Sequence, residues 1–238
     1  MNKVIIIGAT SGIGRALAVL YAKNNWLVGA TGRRSDMLES LQQEFPANII
    51  TECFDVTEQQ NVDHLLRLIG KLDGLDLLIY NSGYGEPSAS LDWEIDKNTT
   101  AVNVNGFVAI VNYTFNYFIA KGAGHIAATS SIAGNRGNSF APAYSASKAF
   151  MSIYMEGLYL KAKRLKVPMV ITDIQPGFVD TKMAKGEVRF WVAPVSKAAT
   201  QIYTAIINKK RRAYVTKRWW IIAKLMKALP MFLYKKIG

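Results

Sequence analysis

The sequence predicts an α/β fold: a doubly wound, seven-stranded parallel sheet with helices on both faces. Three observations predict it. Short, β-branched apolar runs alternate with longer helical repeats. The runs are apolar nearly throughout rather than at every second residue, as in strands covered on both faces. The first run ends in a glycine cluster that opens directly onto a helical repeat.

In chain order, Val4-Ile5-Ile6-Ile7 forms the centre of a strand over 3–8, and a helix follows over 13–23. The same alternation places strands at 26–31, 49–54 and 75–81, separated by helices at 35–44 and 58–70. Further strands at 125–130, 168–175 and 212–216 are interleaved with helices at 101–120, 143–165 and 196–208. Ligands of such sheets bind at the carboxyl ends of the strands. Residues 1–216 are expected to form a single Rossmann-type catalytic domain, and residues 217–238 an amphipathic C-terminal extension. No internal repeat or low-complexity tract interrupts the pattern.

Half of the 238 residues are hydrophobic, enough for one sizeable core. The apolar run Val4 to Ile7 is too short for a signal peptide, and no uncharged stretch of about 20 apolar residues exists to span a membrane. Cys53 is the sole cysteine. It, His64 and His125 read as structural residues, so no metal site is expected. The compartment expected from this cysteine usage is a reducing cytoplasm. Net charge is +12, and all of it lies in the tail: residues 188–238 hold 12 Lys/Arg and no acid, while residues 1–187 balance.

The first strand runs into Gly8-Ala9-Thr10-Ser11-Gly12-Ile13-Gly14. Glycines at a strand–helix junction let the backbone turn tightly and approach a pyrophosphate held at the helix N-terminus. At the end of the second strand, an acid would bond the adenosine ribose of NAD. The sequence has Thr31-Gly32-Arg33-Arg34 instead, which favours NADP(H). Arg33 is the expected partner of the 2′-phosphate, whereas Arg34 reads equally well as a solvated loop charge.

Tyr144 and Lys148 are four residues apart on a predicted helix and share a face. At about 4 Å and an effective dielectric near 20, the ammonium would favour the phenolate by roughly 4 kcal/mol. That attraction would bring the tyrosine into the range useful for acid–base work. Ser131, thirteen residues earlier at the end of a predicted strand, is placed to bond the substrate oxygen beside it.

With these residues the chain resembles the short-chain dehydrogenases/reductases, in their single-domain branch, over about residues 1–216. Asp55-Val56 matches the family's adenine-contacting pair, and Asn81-Ser82-Gly83 its Asn-Ala-Gly stretch. Asn103 matches the asparagine that anchors a proton-relay water. Pro176-Gly177-Phe178-Val179-Asp180-Thr181 matches the segment that holds the nicotinamide amide. Ile7 and Tyr80 depart from the family pattern, where threonine and asparagine are common. The resemblance implies a catalytic set of Asn103, Ser131, Tyr144 and Lys148. It implies a cofactor site of Gly8, Thr10, Ser11, Gly12, Ile13, Gly14, Arg33, Asp55, Val56, Asn81, Gly83, Tyr144, Lys148, Pro176, Gly177, Val179 and Thr181. It further implies direct hydride transfer without a metal, and a homo-oligomer with the helices of Asn103 and Tyr144 at subunit contacts.

Residues 182–194 are expected to form a substrate lid. In the tail, Lys217, Lys224 and Lys227 form a stripe beside a wide apolar face of Ile221, Ile222, Leu225, Met226 and Leu229. Such a helix suits a membrane interface, the enzyme's own cleft or a partner subunit. Nucleic acid is the poorer match, because the aromatics belong to an aliphatic face. The expected function is NADP(H)-dependent interconversion of a carbonyl and an alcohol on a lipophilic small molecule: 3-oxoacyl, steroid-like or lipid-linked sugar. The alternative is a catalytically silent NADP(H)-binding scaffold docking at membranes.

Overall fold

The computed structural model describes residues 1–88, 90–183 and 190–235. Its seven strands are β1 (Lys3–Ile7), β2 (Leu27–Gly32), β3 (Ile49–Cys53), β4 (Leu77–Tyr80), β5 (Gly124–Thr129), β6 (Met169–Pro176) and β7 (Arg212–Val215). They pair in the order β3-β2-β1-β4-β5-β6-β7, and every pairing is parallel. The order reverses between β1 and β4, so the loops after these strands diverge and leave a crevice.

Parallel neighbours need crossovers, and helices supply them. These are α1 (Gly12–Lys23), α2 (Ser35–Glu44), α3 (Asn61–Lys71), α4 (Trp93–Thr100), α5 (Phe107–Lys121), α6 (Pro142–Arg164) and α7 (Val195–Ile207). The sheet is dry on both sides. Ile5, Ile7, Leu78 and Ile126 pack under α3, α5 and α6, while Val4, Ile6, Ile79 and Ile174 pack under α1, α2 and α7. Alternate residues of one strand thus serve two cores, which is why β1 has no polar side chain between Val4 and Ile7.

The sequence pattern misses α4. Asp92 caps it by accepting from the Glu94 amide (2.9 Å), but only Thr99 on it is buried, so it has no apolar period to detect. A π-helical turn, Ala101–Gly106, joins it to α5. Tyr80, fully buried, donates from its hydroxyl to Val102 O (2.8 Å) within that turn. The family-atypical tyrosine therefore ties β4 to the segment carrying Asn103.

After β7 the chain forms α8 (Trp219–Ala228) and α9 (Met231–Tyr234), folded back on the domain. The wide apolar face expected from the sequence is divided between two surroundings. Trp219 and Ala223 are buried against Ile132, with Phe178, Tyr214 and Ile222 around them. Ile221 and Leu225 remain exposed. No helix among the described residues is long and apolar enough to cross a membrane.

Candidate active site

The glycine turn between β1 and α1 has room for backbone only. Gly8 has φ +87°, and a Cβ there would fall 2.7 Å from Ser82 Oγ. Gly12 has φ +55°, and a Cβ on Gly14 would lie 2.0 Å from Gly8 O. Ser11 precedes α1 without capping it, and the first turn holds no acid, so the helix N-terminus keeps donors for an anion. Asn81 braces the turn from β4, with Nδ2 donating to Gly8 O (3.2 Å) and Oδ1 accepting from Thr129 Oγ1 (3.1 Å). A cradle that any side chain would fill, at an uncapped helix end, fits a dinucleotide pyrophosphate.

The two arginines after β2 divide their work. Arg34 lies along the turn, donating to Thr10 Oγ1 (2.6 Å) and Ser11 Oγ (2.7 Å) through Nη2. Arg33 points to the neighbouring loop, with Nη1 3.3 Å from Asp55 Oδ2. Asp55 Oδ1 meanwhile accepts from the Thr57 amide and hydroxyl, both at 2.9 Å. Val56 is buried, and its carbonyl accepts from Asn61 Nδ2 (2.7 Å). Of the two, Arg34 is the one in contact with Thr10 and Ser11 on the glycine turn.

Ser131 follows the end of β5 by two residues and caps a short 3-10 turn, Ile132–Asn135, by accepting from the Ala133 amide (3.1 Å). Tyr144 and Lys148 face inward from successive turns of α6, with Lys148 Nζ 5.8 Å from the centre of the Tyr144 ring. The Ser131 hydroxyl lies near enough to the Tyr144 phenol to favour its ionised form, and its Oγ approaches Pro176 O (3.5 Å). Asn103 reaches α6 from the π-helical turn, where Nδ2 donates to Tyr84 O (2.7 Å) and Ser147 Oγ (2.9 Å), and Oδ1 accepts from the Tyr84 amide (2.9 Å). One lone pair of Oδ1 remains for a further donor. A Cβ on Gly83 would stand 3.3 Å from Lys148 Nζ and 3.6 Å from Asn103 Oδ1, so this glycine keeps the space between them open.

The electrostatics add desolvation to the expectation from spacing. Burial pushes the Tyr144 phenol above its ordinary range, and the neighbouring Ser131 hydroxyl pulls it back only in part. Lys148 is aimed elsewhere, donating to Thr129 O (3.0 Å) and approaching Met151 Sδ (3.5 Å). Burial brings its ammonium down from 10.5 to about 8, against the pull of Asp173. The sequence spacing weighs only the attraction between the two groups, whereas desolvation of each also disfavours its charged form.

Several supporting residues are not singled out by sequence reasoning. Gly85 lies on the Tyr144 ring, where a Cβ would come within 2.2 Å of Cδ2. Its signal is the glycine repeat Gly83-Tyr84-Gly85. Asp173, buried in β6, accepts from Ser130, Ser152 (2.7 Å) and Gln175 (2.7 Å), and pairs with Arg212 (3.3 Å). It braces the strand end before Ser131 and the α6 turn after Lys148. No sequence pattern marks it, because all its partners but Gln175 come from three other segments.

The carboxyl end of β6 and the segment after it run through Pro176, Gly177, Val179 and Thr181. Val179 bridges to Ala193, and Gly12 faces Thr181, where a Cβ would lie 3.3 Å from Cγ2. Trp219 lies against Gly177 and packs edge-on to Phe178 (5.6 Å). Of the expected lid, 182–194, residues 184–189 lie outside the described residues. Phe190 and Trp191 flank Trp219 with ring centres at 5.0 and 5.9 Å.

The family model of the short chain dehydrogenases matches residues 2–190. An oxidoreductase of Myxococcus xanthus is 35% identical over 185 residues, covering 75% of this chain and 72% of its own. A short chain dehydrogenase/reductase of Burkholderia phymatum, solved with NAD, superposes with a TM-score of 0.83 at 19% identity, covering 94% of this chain and 92% of its own. An NADPH-dependent 3-quinuclidinone reductase of Rhodotorula rubra gives 0.77 at 23%, covering 90% and 89%. At these identities the two structures speak for the fold alone.

Proposed function

The chain belongs to the short-chain dehydrogenase family and is an oxidoreductase acting on CH-OH groups with NAD(P) as acceptor; from that premise we propose that it uses NADP(H) to interconvert a carbonyl and an alcohol on a lipophilic small molecule. The observation that carries this reading is the convergence of Tyr144, Lys148 and Asn103 around Gly83 and Gly85, with Ser131 acting on the Tyr144 phenol and the glycine cradle opening from the same strand ends.

When bound, the dinucleotide supplies or accepts the hydride. Gly8, Thr10, Ser11, Gly12, Ile13 and Gly14 would hold its pyrophosphate at the N-terminus of α1. Arg34 would meet the 2′-phosphate from the face of Thr10 and Ser11, with Arg33 and Asp55 bordering the adenosine end. Asp55, Val56, Asn81 and Gly83 would line the adenosine and ribose side, and Pro176, Gly177, Val179 and Thr181 the nicotinamide end.

Ser131 and Tyr144 hold the substrate oxygen between their hydroxyls. In reduction Tyr144 gives its proton to the forming alkoxide, and in oxidation it takes one from the alcohol. Lys148 holds a proton that it releases close to neutrality, and its charge next to the phenol favours the phenolate left after transfer. Asn103 clamps the Tyr84 backbone to α6, and the free lone pair of Oδ1 faces the same opening as Lys148. Asp173 acts through Ser130 and Ser152 as a positioning residue.

The lipophilic substrate is argued from the exposed Phe190, Trp191 and Val192 at the carboxyl end of β6. Exposed Ile153 and Leu160 on α6 support a homo-oligomer built on that helix. The reading includes a cytoplasmic enzyme of residues 1–216 whose extension, 217–238, makes peripheral contact with a membrane.

The test is an NADPH-consumption screen over lipophilic ketones with the parent chain and Tyr144→Phe. Turnover falling roughly 10²–10⁴-fold with cofactor binding retained is the expected result. Equal turnover in the two proteins would remove Tyr144 from the chemistry.

A further inference from the structure

We infer that the outer face of α8 and α9 is a docking surface for an anionic lipid bilayer. The inference deepens the peripheral-contact reading and rests on it for the class of partner, but it does not depend on which substrate or cofactor the enzyme takes.

The tail is fastened from within. Arg136 donates to Met226 O (3.0 Å) and Leu229 O (2.7 Å) and stacks its guanidinium 4.4 Å from the Tyr234 ring centre. Tyr234 donates from its hydroxyl to Gly137 O (2.7 Å), and Trp219 and Ala223 are buried. This inner face leaves no freedom for the outer one to fold inward. Trp220, Ile221 and Leu225 expose 51, 57 and 57% of their surface, and Phe232 exposes 64%. Single exposed apolar residues are ordinary, but a row of them on a fixed, two-turn-long support is a contact surface.

Charge identifies the occupant. Lys217, Lys224 and Lys227 lie exposed on the same outer side, and among the described residues none has a carboxylate partner. Residues 188–238 contain no acid at all. Aliphatic and indole groups bordered by unpaired ammonium groups match the acyl–headgroup boundary of an anionic leaflet. Trp219 joins this surface to the site, since its indole lies on Gly177 and touches Phe178, Phe190 and Trp191. Docking would therefore hold the apolar rim of the site against the lipid.

The test is co-sedimentation of the full chain with vesicles of phosphatidylcholine alone and of phosphatidylcholine mixed equally with phosphatidylglycerol. The expected result is pelleting with the mixed vesicles only. Lys224→Glu/Lys227→Glu should weaken partitioning by at least ~25-fold, at roughly fivefold for each basic residue near the leaflet. Ile221→Asp/Leu225→Asp should weaken it by roughly tenfold or more, because both apolar contacts are lost. NADPH fluorescence checks that each variant keeps its fold, and Lys224→Gln/Lys227→Gln gives a milder second pair. Three results overturn the inference: no pelleting with mixed vesicles, equal pelleting with neutral ones, or variants that bind like the parent. Self-association abolished by Ile221→Asp/Leu225→Asp, without vesicle binding, would give the surface to a second copy instead. An unmodified chain that binds mixed vesicles but not NADPH would strike at the cofactor reading and leave the bilayer surface standing.

Discussion

Replacing Lys148 with methionine should stabilise the ligand-free protein while abolishing its activity. Lys148 is 3% exposed, and its ammonium titrates at about 8 in the folded chain against 10.5 ordinarily. The unfolded chain therefore binds this proton more tightly, so stability rises with pH between about 8 and about 10.5 as the buried charge is relieved. Below that window the folded state carries the whole cost, about 3 kcal/mol for the difference between the two values. Against it stand the bond to Thr129 O and the contact with Met151 Sδ. A net hydrogen bond contributes about 1 kcal/mol, so Lys148→Met should gain about 2 kcal/mol at neutral pH. Urea unfolding of both proteins at equal concentration, across the window, measures it. The gain should shrink toward zero, or reverse, at the alkaline end. A variant less stable at neutral pH, or an advantage that does not change with pH, would refute the claim that a desolvated charge is stored at the site.

Arg34→Ala should weaken NADPH binding by roughly 10- to 100-fold, from ~1.5–3 kcal/mol for a bond to a charged group, and leave NADH nearly unchanged; fluorescence titration of both dinucleotides decides it, and a larger loss in Arg33→Ala would reassign the phosphate partner. Trp219→Ala should cost about 3–5 kcal/mol by opening a cavity, whereas Trp220→Ala should stay within about 0.5 kcal/mol of the parent in thermal unfolding. His125, half-buried beside Thr172 and held down to about 4 from 6.5 by desolvation, is protonated first in the unfolded chain. Stability should therefore fall as pH drops from about 6.5 to about 4, and His125→Gln should flatten that limb of the urea profile.

The seven strands and the order of chemistry along the chain were legible in the sequence because local patterns specify them. Val4 to Ile7 has no polar residue, as a strand buried on both faces requires, and four-residue spacing alone places Tyr144 and Lys148 on one face of α6. Gly8, Gly12 and Gly14 announce their cradle because no other residue fits there. Helix α4 was not legible, since a polar helix with one buried residue leaves no period. Only the tertiary structure decided which arginine lies on the glycine turn, because Arg33 and Arg34 are adjacent in the chain and separate only through partners 22 or more residues away. The same holds for the protonation of the Tyr144–Lys148 pair. Spacing fixes how far apart two groups stand, but the energy of a charge depends on how much water the rest of the fold leaves around it, and Asp173, Thr129 and Met151 reach Lys148 from other segments or turns. The division of α8 into a docked side and a free side is likewise a tertiary result. A sequence shows that a face is apolar, and only the neighbours brought against it determine which part of that face stays open.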